Sequence, residues 1–233
     1  MRQMSSSRLS EDGKTVIVLP GTKKLRDEEY KGNTKIERVV CTEDMEEIGL
    51  RSFCECTSLT SIELKPGLKR IGNWTFRGCT QLTHVSFVDG MEEIGICSFL
   101  DCTSLTSIEL KSGLKEIGGC TFHGCTQLTH VSFVDGMEEI GYCSFWGCTS
   151  LRSIELEPGL KKIGDCTFYD CDQLTAIIVP FKDLPTSLRS SQVMTNDYQR
   201  LMGEVRSPGA LKLESPIGEV RSTPPRELKN LIV

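Results

Sequence analysis

Apolar and polar residues alternate along this chain in a pattern that begins again every 23 residues. In the unit from Thr103 to Cys125, Leu105, Ile108 and Leu110 are apolar, with the polar Ser107 and Glu109 on the alternate positions. That period of two is the signature of a short strand with one face turned inward. Lys111-Ser112-Gly113 then carries turn chemistry. Leu114 to Ile117 reads as a second short strand, and Gly118 suits a tight bend. Gly119 to Gly124 has the length of about one helical or 3₁₀ turn, with Phe122 directed into the core.

Repeated, the pattern becomes a set of columns. Ile48, Ile71, Ile94, Ile117, Ile140 and Ile163 are each followed by Gly; Phe53, Phe76, Phe99, Phe122, Phe145 and Phe168 keep the same step, as do Cys56, Cys79, Cys102, Cys125, Cys148 and Cys171. Self-similarity at such a period predicts a solenoid, whose coils bury their apolar sides only by stacking on one another. The expected fold is a β-rich solenoid of about seven coils, with two short parallel sheets and one helical or 3₁₀ turn per coil.

The pattern also sets boundaries. Residues 1–13 read as a disordered polar arm. Residues 14–181 read as the solenoid, with 14–47 as its N-terminal cap and first coil, because Val16, Val18 and Leu25 fall one repeat before Val39, Cys41 and Ile48, and Tyr30 takes the Phe position. Residues 182–203 are expected to cap the C-terminal end, with a pattern able to form a helix. Residues 204–233 are rich in Pro, Ser and charge and read as disordered. Their Ser207-Pro208, Ser215-Pro216 and Thr223-Pro224 pairs fit proline-directed phosphorylation.

The motif Ile-Gly-x-x-Ser/Thr-Phe-x-x-Cys-Thr-x-Leu-Thr-x-Ile/Val-x-Leu/Phe, carried six times between residues 26 and 181, resembles the BspA-like branch of the leucine-rich repeat proteins. The resemblance implies a curved leucine-rich-repeat solenoid used for protein or ligand recognition, with no catalytic residues to carry over. Ser or Thr before Phe departs from the Ala common in that family. Many members are surface or secreted proteins, so a surface or adhesion role is one alternative, and a structural or self-assembling solenoid is another.

A longer period lies above the first: Cys79 to Gly95 and Cys125 to Gly141 are identical, which points to duplication of a two-coil unit. One consequence is a column reading Glu46, Lys69, Glu92, Lys115, Glu138, Lys161, in which opposite charges face one another on neighbouring strands. Exposed pairs are individually weak, but a ladder of them favours one stacking register.

The net charge of -5 offers no basic face to nucleic acid or anionic lipid. No apolar run reaches the roughly 20 residues needed to cross a bilayer, and the N-terminus lacks a secretory signal pattern. A cytoplasmic monomer is expected, with no membrane or nucleic-acid contact and no cofactor. The twelve cysteines fit no common zinc pattern. Those of the first column read as reduced, buried thiols. Cys97, Cys120, Cys143 and Cys166 form a second column, expected to be more exposed and redox-sensitive.

Two surfaces are candidates for binding a protein partner. The residue after Ile-Gly runs Leu50, Asn73, Ile96, Gly119, Tyr142, Asp165, and the residue after Phe runs Cys54, Arg77, Leu100, His123, Trp146, Tyr169. On a helical turn these positions would share one face. The variation suggests an outer recognition strip of Arg77, Ile96, Leu100, His123, Tyr142, Trp146 and Tyr169, rich in residue types that dominate interfaces. The second candidate is the sheet face, with Glu63, His84, Glu109, His130 and Glu155. Its Ser, His and Glu side chains could be assembled on paper into a triad. A strand face about 5 Å between neighbours implies neither an oxyanion hole nor a water-excluding cleft, so it reads as a solvated polar ladder.

Overall fold

A computed structural model describes residues 6–157, 159–178 and 211–212 of the chain. Its first face is a row of strands, one per coil: β2 (Thr15–Val18), β4 (Arg38–Val40), β6 (Ser61–Glu63), β8 (His84–Ser86), β10 (Ser107–Glu109), β12 (His130–Ser132), β14 (Ser153–Glu155) and β16 (Ala176–Ile178). The second face is a continuous parallel sheet of β3 (Lys24–Leu25), β5 (Glu47–Ile48), β7 (Arg70–Ile71), β9 (Glu93–Ile94), β11 (Glu116–Ile117), β13 (Glu139–Ile140) and β15 (Lys162–Ile163). Register follows the repeat, so Ile62 faces Val85, Ile108 faces Val131, and Ile117 faces Ile140. The ladder of the first face is interrupted between β8 and β10 and between β12 and β14.

The third side of each coil differs from expectation. No helix or 3₁₀ turn occurs among the described residues; residues 119–124 form a string of turns. Cys120 (φ 54°) and Gly124 (φ 72°) are left-handed, and this conformation recurs in every coil, as at Trp74, Cys97, Cys143 and Cys166. It turns the amides of Cys120, Phe122 and Gly124 toward the next coil, where they donate to the carbonyls of Tyr142, Ser144 and Trp146 at 2.7, 2.8 and 2.8 Å. A helix would have aimed those amides along its own axis. Each left-handed non-glycine residue costs about 1 kcal/mol or more, a cost offset by a third ladder joining successive coils.

The core is laid down as columns. Tyr30, Phe53, Phe76, Phe99, Phe122, Phe145 and Phe168 stack with ring centroids 5.2–5.8 Å apart. The inner cysteines are buried and act as donors: Cys79 Sγ–H donates to Phe53 O at 3.1 Å, Cys102 to Phe76 O at 3.2 Å and Cys171 to Phe145 O at 3.1 Å. Ser52, Thr75, Ser98, Thr121, Ser144 and Thr167 are wholly buried. Thr121 Oγ1 donates to the carbonyl of Gly118 at 2.6 Å and lies 3.3 Å from that of Gly95 on the previous coil. A hydroxyl here takes up carbonyls that alanine would leave to their remaining partners, which gives the departure from the family pattern a physical role. Replacing Thr121 by the near-isosteric valine is expected to cost about 1–3 kcal/mol in urea unfolding; an unchanged midpoint would show that the hydroxyl is dispensable.

The charge column pairs as far as Lys23–Glu46 (2.9 Å), Lys69–Glu92 (3.5 Å) and Lys161–Glu138 (2.7 Å). A neighbouring column adds Lys24–Glu47 at 2.6 Å and Lys162–Glu139. All are exposed to solvent to a degree that limits their strength.

The ends depart from the sequence boundaries. The arm expected over residues 1–13 contains β1 (Ser7–Leu9), antiparallel to β2 with Ser7 opposite Val18 and Leu9 opposite Val16. Ser7 Oγ donates to Glu29 Oε1 at 2.7 Å and lies 2.6 Å from the Tyr30 hydroxyl. An antiparallel strand laid on the first coil covers an edge that would otherwise present unpaired backbone groups. In the tail expected to be disordered, β17 (Leu211–Lys212) pairs antiparallel with β16, Leu211 opposite Ile177. The C-terminal cap of residues 182–203, the rest of 204–233 and its three Ser/Thr-Pro pairs lie outside the described residues.

Candidate functional site

The left-handed residue of each turn string places its side chain away from the main core, and there a second apolar cluster forms. Trp74, Cys97, Leu100, Cys120 and Cys143 are its buried members, with Ile96, Tyr142, Trp146 and Cys166 packed partly buried against them. The two variable sequence positions do come together, though on turns that flank the left-handed residue and not on one side of a helix.

The strip is less open than expected. Leu100 is only 3% exposed and belongs inside the cluster. Arg77 is half-buried, its guanidinium 5.2 Å from the Trp74 ring centre and 3.8 Å from the Glu55 carboxylate. Arg51 approaches the same ring at 5.5 Å, so Trp74 is held between two cations. The Tyr142 ring lies over Gly119, in the space where a side chain at residue 119 would project. At this position the two coils are complementary, the absence of a side chain at Gly119 making room for the Tyr142 ring.

At the C-terminal end the strip becomes aromatic. His123 stacks on Trp146 with centroids 5.4 Å apart, and Trp146 meets Tyr169 edge-on at 4.8 Å. Trp146 Nε1–H donates to Asp170 Oδ2 at 3.0 Å, which fixes the indole. His123 Nδ1 is buried without a hydrogen-bond partner, and burial holds the imidazole pKa below its ordinary value, so it is neutral near pH 7. His123, Tyr142, Trp146 and Tyr169 are each half-buried. Trp74, Arg51 and the outer cysteines were absent from the sequence-derived strip. Their signal was available as a column two residues beyond Ile-Gly, but only the left-handed backbone directs them under the flanking rings. For the same reason Cys97, Cys120 and Cys143 are buried where exposure was expected, and Cys166 alone is half-buried.

The sheet face behaves as a solvated polar surface. Glu63, His84, Glu109, His130 and Glu155 are all exposed. His84 lies opposite Ser61 and His130 opposite Ser107, yet His84 Nε2 pairs with Ser86 Oγ of its own strand at 2.9 Å. Glu63 pairs with Lys65, and Glu109 with Lys111 at 3.5 Å. Among the described residues no cluster of His, Cys, Asp and Glu has a geometry able to hold a metal ion, and no helix is long and apolar enough to cross a membrane.

This architecture is found in known bacterial proteins. A leucine-rich cell surface protein of Faecalibacterium prausnitzii matches with TM-score 0.68 and 23% identity over 79% of this chain, which spans 55% of that protein's length. The leucine-rich repeat protein TpLRR of T. pallidum matches with TM-score 0.63 and 26% identity, covering 72% of this chain and 86% of that one. A leucine-rich repeat protein of Eubacterium ventriosum matches at TM-score 0.64 and 17% identity, over 74% of this chain and 44% of the other. No curated protein matches. The model of the BspA type leucine-rich repeat region matches residues 23–122 and 92–190, in six copies. Its span takes in the stacked Phe column, the buried Ser/Thr hydroxyls and the inner cysteines, and on that ground the chain belongs to the BspA-type leucine-rich repeat family.

Proposed function

We propose that the chain is a non-catalytic scaffold for protein–protein interaction and that its partner docks on the aromatic end of the strip, over His123, Tyr142, Trp146 and Tyr169. The observation that carries this reading is the second apolar cluster, which lies outside the main core and leaves half-buried Trp, Tyr and His rings at its rim. Rigid aromatic side chains bring large contact area at little entropic cost, and the hydrogen bond from Trp146 to Asp170 pre-orders the central ring. The sheet face, already paired within its own strands, offers weaker anchors. The thiols support a reducing, cytoplasmic setting, because the inner column uses S–H as a donor to backbone carbonyls. The name of the Faecalibacterium protein places it at the cell surface; at 23% identity that likeness is one of fold.

The test is a paired capture from lysate of the source cells. Wild type, Trp146→Ala with Tyr169→Ala, and a sheet-face variant, His130→Ala with Glu109→Ala, serve as baits. A protein retained by wild type and by the sheet-face variant, but lost with the strip variant, is the expected result; retention by the strip variant and loss from the sheet-face one would move the site to the sheet. Trp146→Ala is also expected to lower stability by about 1–2 kcal/mol through lost ring contacts, so capture is done well below its melting temperature.

A further inference from the structure

The outer cysteine column differs from the inner one in a way the repeat alone does not reveal. Both have one thiol per coil, so neighbouring Cα atoms stand at about the strand spacing of 4.8 Å, inside the roughly 4.4–6.8 Å that a disulfide spans. In the inner column each thiol is buried and tied to the carbonyl of the aromatic residue on the preceding coil, Tyr30 for Cys56 and a Phe for the others. In the outer column the thiols have one another as neighbours: Cys120 interacts with Cys97 and Cys143, and Cys143 with Cys166, within the second apolar cluster. All twelve cysteines lie within the described residues, and Cys166, at the C-terminal end of this column, is the one that is not buried. A reagent in solution therefore has one point of entry, and a second thiol waits behind it.

We propose that Cys143 and Cys166 form a reversible disulfide with low-molecular-weight disulfides such as oxidised glutathione, through entry at Cys166 and resolution by Cys143. The Cys166 thiolate attacks one sulfur of glutathione disulfide, forming a mixed disulfide and releasing one glutathione thiolate. The Cys143 thiolate then attacks Cys166 Sγ and displaces the second glutathione thiolate. The two released thiolates take up the two protons given up by the protein, so two protein thiols are oxidised and one glutathione disulfide is reduced to two glutathione molecules. The bond would fasten the last two coils together beneath Tyr142, Trp146 and Tyr169, and it stands whether or not that ridge binds a partner.

The thiol environments suit this order. The hydrogen bond from Cys120, which persists once Cys166 is in the mixed disulfide, pulls the Cys143 thiol below its ordinary pKa against the opposing effect of burial, as a resolving nucleophile requires. Burial, with the charges of Cys143 and Asp165, pushes Cys166 up to about 11. The thiolate fraction of Cys166 is then small at pH 7 and rises about tenfold per pH unit toward pH 9, so entry is the slow step and accelerates with pH. The inner thiols, raised by burial and shielded from solvent, do not compete.

The experiment treats the native full-length protein with oxidised glutathione, blocks remaining thiols after unfolding, and maps the peptides by mass spectrometry. The expected product lacks two of the twelve thiols, links Cys143 to Cys166, and recovers both thiols with dithiothreitol. Cys143→Ser is expected to stop at a stable glutathione adduct on Cys166, and Cys166→Ser to leave all remaining thiols free. The proposal is overturned by a wild-type protein that stops at the adduct, links another pair, or loses no thiol under conditions that oxidise the unfolded chain. Wild-type mapping decides the matter even where a variant folds poorly.

Discussion

Phe99→Ala is expected to lower the free energy of unfolding by about 3–5 kcal/mol, measured by equilibrium urea denaturation. Phe99 has no exposed surface and sits mid-column, 5.2 Å from Phe76 and 5.4 Å from Phe122, with Phe87 edge-on at 5.8 Å. Truncation removes contacts to both neighbouring coils, and in a solenoid those neighbour terms hold the stack together. The cavity cannot close by local collapse, because the backbone on either side is held by the second-face ladder and by the turn-string ladder, with Phe76 N–H donating to Ser98 O and Phe99 N–H to Thr121 O. Phe168, stacked on Phe145 at 5.8 Å, occupies the end of the described column, so Phe168→Ala is expected to cost less. Equal costs at the two sites, or a cost under about 1 kcal/mol at Phe99, would mean that the column is not the stabilising axis.

Gly118→Ala is the second large effect. A Cβ at residue 118 would stand 2.9 Å from Gly95 C and from Ile96 N, and 3.0 Å from Ile94 O, all backbone atoms of the preceding coil. No side chain can rotate away, so the two coils must part locally and stretch the bonds that join them. Overpacking of this kind costs at least about 1–3 kcal/mol, seen as a lower urea midpoint and melting temperature. Gly136→Ala is the contrast, since a Cβ there meets nothing within 4 Å and only the backbone angle, φ +95°, opposes it. A Gly118→Ala protein as stable as wild type would show that coil spacing is set elsewhere.

Both effects rest on columns that are legible in the sequence, and the candidate site shows where legibility ends. Ile, Phe, Cys and Leu at fixed steps, and Gly after each Ile, are enough to infer stacked coils, in-register parallel strands and the residues that face inward. Each feature reports burial, and burial leaves a strong periodic mark on residue choice. The helical turn expected at residues 119–124 was misread because six residues with one inward Phe satisfy a helical turn and a turn string equally well; the choice between them depends on amides whose partners lie on the next coil. The N-terminal arm was misread because Ser7 to Leu9 is polar enough for solvent, and its place against Thr15–Val18 depends on Glu29 accepting from the Ser7 hydroxyl and on the pairing of that hydroxyl with Tyr30.

The sequence by itself determined the period, the membership of each core column and the alternation of charge, because a repeated chain must meet the same neighbours at every step. Only the tertiary structure decided which way the variable residues face. Left-handed backbone at Trp74, Cys97, Cys120, Cys143 and Cys166 turns those side chains into an outer cluster with Ile96, Leu100, Tyr142 and Trp146, buries Leu100, and leaves Cys166 partly open at the end of the column. The physical reason is that these turns satisfy their amides between coils, so their geometry is fixed by the spacing of the stack and not by any local preference of the residues themselves.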